Sequence, residues 1–329
     1  MRERAMYFNE LLMSWLEEIR LEHAPSTYVK YKRMSGRYIE PFFEGERVAQ
    51  IRLPVLIRYR ESILDRAAAG ELSDGSIRCL LMIVNGVMGR AFERQLLPDL
   101  IHVPPRVRRK KHVVQVYSSE EQKKLEAYLR EHMSLSLAAI YLCLYTGLRL
   151  GEICALRWEN INTREGYIHV KSTVQRLALL DRRAGEEACA KPCREAGRKS
   201  ELLLTAPKSS SSNRLVPVPS FLLPLLEEYR KKAAPESFFL SGQPDLPMEP
   251  RTFQYQYKRC LARAGLRYLN FHSIRHTFAT RCITIGMDPK TLSEILGHSD
   301  IKITLEYYFH SSFEFKKNQI ERLASPLVG

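Results

Sequence analysis

Residues 145–158 read Tyr145-Thr-Gly147-Leu-Arg149-Leu-Gly-Glu152-Ile-Cys-Ala-Leu-Arg-Trp158, and the chain changes character across them. Upstream, apolar residues recur at helical spacing; downstream, from Gly166 to Leu177, they alternate as in a strand. Gly147 stands where a glycine ends one helix, so Arg149 falls in the first turn of the next, where unpaired amides and the helix dipole favour an anion. Glu152 lies three residues on, on the same face, within reach of an ion pair. An exposed Arg-Glu pair of that kind is commonplace, so the meaning of Arg149 depends on what the rest of the chain brings to it.

Working outward, Leu202 to Ala206 reads as a second strand and Arg214-Leu-Val-Pro-Val-Pro219 as a third, edge-like because of its prolines. The expectation is one small antiparallel sheet, with residues 180–200 as a long loop between its first two strands and helices again from Phe221. Cys189 and Cys193 in that loop have no assigned role. On the other side, Tyr117-Ser-Ser-Glu-Glu is a helix-start signal followed by two helices to Trp158. Ahead of it, Val103 to His112 combines a proline pair with Arg106, Arg108, Arg109, Lys110 and Lys111, an extended basic linker suited to a phosphate backbone. The first 97 residues carry four helical patterns. Phe8, Leu11, Leu12, Trp15, Leu16 and Ile19 form one stripe, Pro25 opens the second helix, Pro54 marks the third, Ser73-Asp-Gly-Ser76 starts the fourth, and Pro98 closes the set. The fold class is therefore mainly α with a small antiparallel β-sheet. Its parts are a helical domain over 1–102, a basic linker over 103–116, an α+β domain over 117–310 and a tail over 311–329.

Composition narrows the partner. Lys and Arg number 51 against 37 acidic residues in 329, a net charge of +14, which favours a polyanion. Nucleic acid leads and an acidic membrane surface follows. No apolar run approaches the ~20 residues of a membrane span, and the chain reads as cytoplasmic. Seven cysteines, an odd number set in apolar segments such as those of Cys79, Cys143, Cys154 and Cys282, fit reduced buried thiols rather than a disulfide framework. On the helical domain, Lys30, Arg33 and Arg78 are candidate phosphate contacts.

Further chemistry lies downstream. His272-Ser-Ile-Arg275-His276 places two histidines and an arginine on one side of a helix. Histidines at i and i+4 also suit zinc, but Arg275 between them sets a fixed cation beside the metal position, whereas phosphate accommodates both residue types. Leu296-Gly-His298 follows a helix as a glycine turn. Lys208, in Thr205-Ala-Pro-Lys208-Ser-Ser-Ser-Ser-Asn-Arg214, sits on a polar loop between the second and third strands, where a lysine is usually just solvated but one swung over a phosphate, its pKa lowered there, can donate a proton to the leaving oxygen. Tyr307 and Tyr308 are adjacent, and the Ile301, Leu305, Tyr308 spacing buries Tyr308 and leaves Tyr307 the more exposed, so spacing does not choose a nucleophile.

Taken in chain order these blocks resemble the tyrosine recombinases of the phage-integrase and Xer type, especially conjugative-transposon integrases. TGLRLGEICALRW at 146–158 is similar to the family's first-arginine box, TAPKSSSSNRLVPVP at 205–219 to its lysine hairpin and FHSIRHTFAT at 271–280 to its His-x-x-Arg box. LGHSDIKITLEYYFH at 296–310 resembles the block with its second histidine and tyrosine, and Ser73 to Arg78 the opening of the fourth helix of its core-binding domain.

The resemblance implies Arg149 and Arg275 as a phosphate clamp, Lys208 as general acid, His272 and His298 as proton-transfer and transition-state partners, and Tyr308 as nucleophile, since Tyr308-Phe309-His310 matches the family's ending. It further implies a helical core-binding, SAM-like domain and a catalytic domain, no cofactor and no metal, double-stranded DNA as partner, a homo-tetramer on two DNA sites and room for an accessory directionality protein. A C-terminal helix over Phe313 to Leu323 would dock on a neighbour through Ile320 and Leu323. A separate N-terminal domain for arm-type sites is not expected. Type IB topoisomerase chemistry and a catalytically idle DNA-binding protein on the same scaffold are the competing readings; the filled catalytic positions count against the second.

Overall fold

The computed structural model describes residues 6–103, 114–178, 200–205, 212–298, 300–308, 317, 320 and 321. Arg106, Arg108, Arg109, Lys110, Lys111, Cys189, Cys193, Lys208 and all of the tail but 317, 320 and 321 lie outside the described residues. The chain divides into two compact units, Met1–Lys111 and His112–Gly329.

The first unit is built on α1 (Phe8–Glu22), α2 (Pro25–Tyr38), α3 (Leu53–Ala68) and α4 (Asp74–Glu93). Phe8, Leu11, Leu12, Leu16 and Ile19 are the buried stripe of α1, the spacing that a 3.6-residue period demands. Phe8 stacks on Phe43 at 4.0 Å, and Phe42 and Phe43 both meet the Tyr59 ring of α3 at 5.1 and 5.2 Å. Trp15 crosses α4 at Gly86, where a Cβ would lie 2.7 Å from the indole, so a residue without one allows the close approach. Ser73 caps α4 by accepting from Ser76 N, as the start signal predicts.

In the second unit α5 (Ser119–Glu131) opens with a Ser118/Glu121 capping box, and α6 (Leu135–Thr146), apolar nearly all round, runs through the core. After the one-turn α7 (Leu150–Cys154) come β1 (Ile161–Asn162), β2 (Tyr167–Val170), β3 (Thr173–Ala178), β4 (Ser200–Thr205) and β5 (Arg214–Pro217). In place of the one sheet and the single Gly166–Leu177 strand expected from the sequence, the described residues form two sheets. One is three-stranded in the order β1-β2-β5, the other a β3-β4 pair, both antiparallel. The expected strand breaks at Lys171-Ser172, where Ser172 Oγ donates to Ala155 O at the end of α7. Gly151 of α7 then sits directly on β3, so close that a Cβ there would stand 2.6 Å from Val174 O. Lys208 thus falls in sequence between β4 of one sheet and β5 of the other, and the β3-β4 register runs unbroken from Thr173 opposite Thr205 to Ala178 opposite Ser200. Pro217 lies on the edge strand, where its missing N–H costs no ladder bond.

The unit is completed by α8 (Leu223–Arg230), α9 (Pro250–Arg263), α10 (His272–Thr284), α11 (Pro289–Leu296) and α12 (Ile301–Tyr308). Trp158 packs on Phe239, Tyr257 on Phe271, and the buried Tyr117 and Tyr257 hydroxyls share a 2.6 Å hydrogen bond. Cys79, Cys143, Cys154, Cys260 and Cys282 are free and buried. Burial pushes the Cys143 and Cys154 thiols up, so both stay protonated. Among the described residues no helix is long and apolar enough to cross a membrane.

Candidate active site

Three arginines from distant parts of the chain end on one helix terminus. Arg214 Nε donates to Ile295 O at 2.6 Å, an Arg275 guanidinium nitrogen to Leu296 O at 2.7 Å, and an Arg149 guanidinium nitrogen to Gly297 O at 2.9 Å. The last carbonyls of a helix have no partner within it and carry partial negative charge, so cationic donors satisfy them well. Gly297 takes the left-handed conformation (φ 65°) that closes α11, and His298 N returns to Ser293 O at 3.0 Å.

Arg149 precedes α7, and its backbone N–H and guanidinium both reach Glu152, at 2.8 and 2.7 Å. The Arg149–Glu152 pairing expected from spacing is present. Because α7 is only five residues long, its dipole is slight, and the affinity of this position for an anion rests on the guanidinium, whose side chain is 34% exposed. Glu152 is buried, and burial raises its pKa; the hydrogen bonds and charge of Arg214, with the charge of Arg149, overcome that and bring it down to about 2.

Arg275 is 1% exposed, and its second bond runs to Gly147 O at 2.9 Å. Gly147 ends α6 with φ 63°, and a Cβ on it would stand 2.6 Å from the Phe278 ring. The glycine of the opening motif therefore shapes both the helix end and the seat of Arg275.

The His272 and His276 rings meet edge to face at 4.5 Å. His272 keeps an exposed edge, yet the protein packed round its ring and the charges of Arg275 and Arg149 lower its pKa. Burial, His272 and Arg275 bring His276 to about 4, while burial followed by Arg275, Arg149 and Arg214 brings His298 to about 3. All three imidazoles are neutral at pH 7 in the DNA-free protein, able to donate or accept one proton each. His298 Nδ1 is 2.8 Å from Thr304 Oγ1, which fixes the ring against α12. A cleft of about 190 Å³ beside His272 is lined by Leu148, Leu150, Gln254, Asn270 and Phe271. A larger cavity of about 940 Å³, between the β1-β2 turn and α8, touches none of these catalytic candidates. Among the described residues no three His, Cys, Asp or Glu side chains converge as a metal set.

Of the residues expected from the sequence, Arg149, His272, Arg275 and His298 are brought together. Lys208 lies outside the described residues, and Tyr307 and Tyr308 close α12 in backbone only. Lys30, Arg33 and Arg78 are exposed on α2 and α4. Arg214 and Thr304 escape the sequence reading. A signal for Arg214 exists, since it alternates with Val216 on the buried face of β5 while Leu215 and Pro217 face out.

A helical unit joined to an α+β unit whose arginines and histidines gather behind a C-terminal Tyr-Tyr helix defines the tyrosine-recombinase class of enzyme. Residues 114–314 match the phage integrase family and residues 7–64 match the phage integrase N-terminal SAM-like domain. The chain belongs to the phage integrase family and is a site-specific tyrosine recombinase. It is 27% identical over 334 residues to the tyrosine recombinase XerC-like protein of Caldanaerobacter subterraneus subsp. tengcongensis, spanning 95% of this chain and 82% of that protein. It is 23% identical over 337 residues to the ICEBs1 integrase of Bacillus subtilis, spanning 98% and 84%. Its fold is similar to that of the Tn1549 transposon integrase in complex with a circular intermediate DNA, with a TM-score of 0.73 at 19% identity over 97% of this chain and 100% of that one. It is also similar to the lambda integrase tetramer bound to a Holliday junction, with a TM-score of 0.64 at 13% identity over 92% and 77%.

Proposed function

We propose that this recombinase cuts and rejoins double-stranded DNA through a 3′-phosphotyrosyl intermediate and a Holliday junction, moving a mobile element into or out of a chromosome. The observation that carries the reading is the convergence of Arg149 and Arg275 on successive carbonyls of α11, with neutral His272 and His298 beside them and the Tyr-Tyr helix next in the chain. Preorganised permanent cations stabilise charge on a pentavalent phosphorus without rearranging in the transition state. The Tyr308 hydroxyl passes its proton to a neutral histidine of the site, His272 or His298, and its oxygen forms a bond to phosphorus as the bond to the 5′ oxygen breaks. Lys208 gives that oxygen its proton, and the 5′ hydroxyl of another strand reverses the step. Neither step consumes a cofactor or a metal, because the energy of the phosphodiester is kept in the tyrosyl ester.

The same reading assigns residues 1–102 to core-site binding, 103–116 to a basic linker over the backbone and 117–310 to catalysis, in a cytoplasmic homo-tetramer on two DNA sites that takes direction from an accessory protein. The relatives support it: the Bacillus subtilis protein is the ICEBs1 integrase, the Tn1549 protein is a transposon integrase, and the Tn1549 and lambda proteins are seen on DNA, the latter as a tetramer on a Holliday junction. A duplex nicked beside the cleavage point tests it. The wild type and Tyr307→Phe should trap the DNA covalently and Tyr308→Phe should bind without trapping. The opposite pattern for the two tyrosines would overturn the choice of nucleophile, and no adduct from any form would overturn the chemistry.

A further inference from the structure

Arg214 enters the sequence reading only as the first residue of an edge strand, and the reaction proposed above gives it no part. Yet its side chain is only 6% exposed, and every guanidinium nitrogen is placed. Nε donates to Ile295 O at 2.6 Å, one terminal nitrogen to Glu152 Oε1 at 3.0 Å and Ser212 O at 3.3 Å, and the other to Glu152 Oε2 at 3.0 Å. A planar fork fits both carboxylate oxygens at once, which a lysine ammonium does not.

Glu152 is shared. Oε1 takes the Arg149 guanidinium as well as Arg214, and Oε2 takes the Arg149 backbone N–H as well as Arg214. A buried carboxylate facing one cation would draw that cation inward to satisfy its charge. With Arg214 supplying the buried half of the neutralisation, Arg149 keeps a side chain that is 34% exposed. The same guanidinium joins β5, where the lysine loop closes, to the end of α11, from which His298 and then α12 follow.

We propose that Arg214 is a positioning residue of the recombinase site: by holding Glu152 and the end of α11 it keeps the Arg149 guanidinium turned outward for the scissile phosphate. The inference rests on the reading that Arg149 binds that phosphate. Arg214 itself is buried. It acts through Glu152, which is also faced by Arg149 from its own turn, by His272 of α10 and by Cys143 of α6.

The test uses the full-length protein and the nicked duplex, with single-turnover adduct formation followed across the acid range, DNA affinity measured beside it and thermal unfolding as a check on folding. Arg214→Gln should slow adduct formation about 100-fold, the scale of a misplaced reacting group, with DNA affinity changed only a few-fold. Its acid limb should move up, because the Glu152 carboxyl, at about 2 in the wild type, should titrate higher by carboxyl-carbon NMR once its main partner is gone. Arg214→Lys should recover part of the rate, and Glu152→Gln with Arg214→Gln should lose no more than Arg214→Gln alone. A wild-type rate and acid limb in Arg214→Gln would overturn the proposal, as would a double variant as slow as the product of the two single losses. If Arg214→Gln does not fold, Arg214→Lys decides by the same rate and NMR readouts, a wild-type rate overturning the proposal. Absence of adduct from the wild type as well would overturn the chemistry of Tyr308 instead, and the NMR titration would still decide whether Arg214 holds Glu152.

Discussion

Arg149 and Arg275 donate to adjacent carbonyls, Gly297 and Leu296, of one helix end. Carbonyl oxygens fix a guanidinium in place without opposing it with a full charge; Arg275 is gripped by two of them, whereas Arg149 shares its carbonyl contact with the Glu152 carboxylate, whose charge Arg214 also meets. Arg275 extends the arrangement to Gly147, so the motif that opens the catalytic box and the one that closes it share a single side chain.

Arg275→Lys preserves the charge but cannot span Gly147 O and Leu296 O with one planar group. A loss of roughly 1–3 kcal/mol is expected, the cost of a charged hydrogen bond broken in a buried site. Urea denaturation measures it, and adduct formation should fall with it. An unchanged midpoint would mean the carbonyl grip is not what holds the arginine.

Gly147→Ala meets a left-handed backbone and the Phe278 ring together. The expected destabilisation is about 2–4 kcal/mol, from strain at positive φ and overpacking. Denaturant midpoints read it directly. Gly89, with open space around it, is the control, where alanine should be neutral or stabilising in the helix.

Acid sensitivity follows from His276 and His298. Their folded pKa values, about 4 and about 3, lie below the 6.5 of the free side chain, so the unfolded chain binds protons first as pH falls. Stability should be full above pH 6.5 and decline from there, the His276 share until about pH 4 and the His298 share until about pH 3. Glu152 adds loss only below 4.5, since its folded value is depressed to about 2. Thermal melts across that range in the wild type and in His298→Gln should show a shallower slope above pH 4.5 in the variant; equal slopes would remove His298 from the account.

Charge on the helical domain is testable by salt. Lys30, Arg33 and Arg78 are exposed. If each meets a phosphate, changing all three to Gln should reduce the slope of log affinity against log salt by about 2.7, at ~0.9 per contact. Binding titrations at several salt concentrations give the slope, and an unaltered one would place the DNA elsewhere.

Much of this architecture can be read from local pattern. The stripe in α1, the caps at Ser73 and Ser118 and the apolar α6 all follow from periodicity and end signals that act within a turn or two of helix. The break between β2 and β3 does not, because its cause is Ala155 O and the packing of Gly151, a tertiary contact with no signature in the strand itself. The site divides the same way. Arg149, His272, Arg275 and His298 stand out because their boxes are distinctive, whereas Arg214 looks like a polar residue at a strand start until its inward phase on β5 is noticed. Thr304 is legible only through its contact with His298, two elements brought together by the turn at Gly297.

The grip of three arginines on Ile295, Leu296 and Gly297 also bears on how the enzyme is made. During synthesis Arg149, Arg214 and Arg275 all leave the ribosome before the carbonyls that seat them. A nascent chain halted short of Ile295 holds the cations of the site but not their geometry. Tyr308 follows those carbonyls within one short stretch of chain, so the seat of the three arginines and the Tyr-Tyr helix leave the ribosome together, and no partly made chain presents the one without the other.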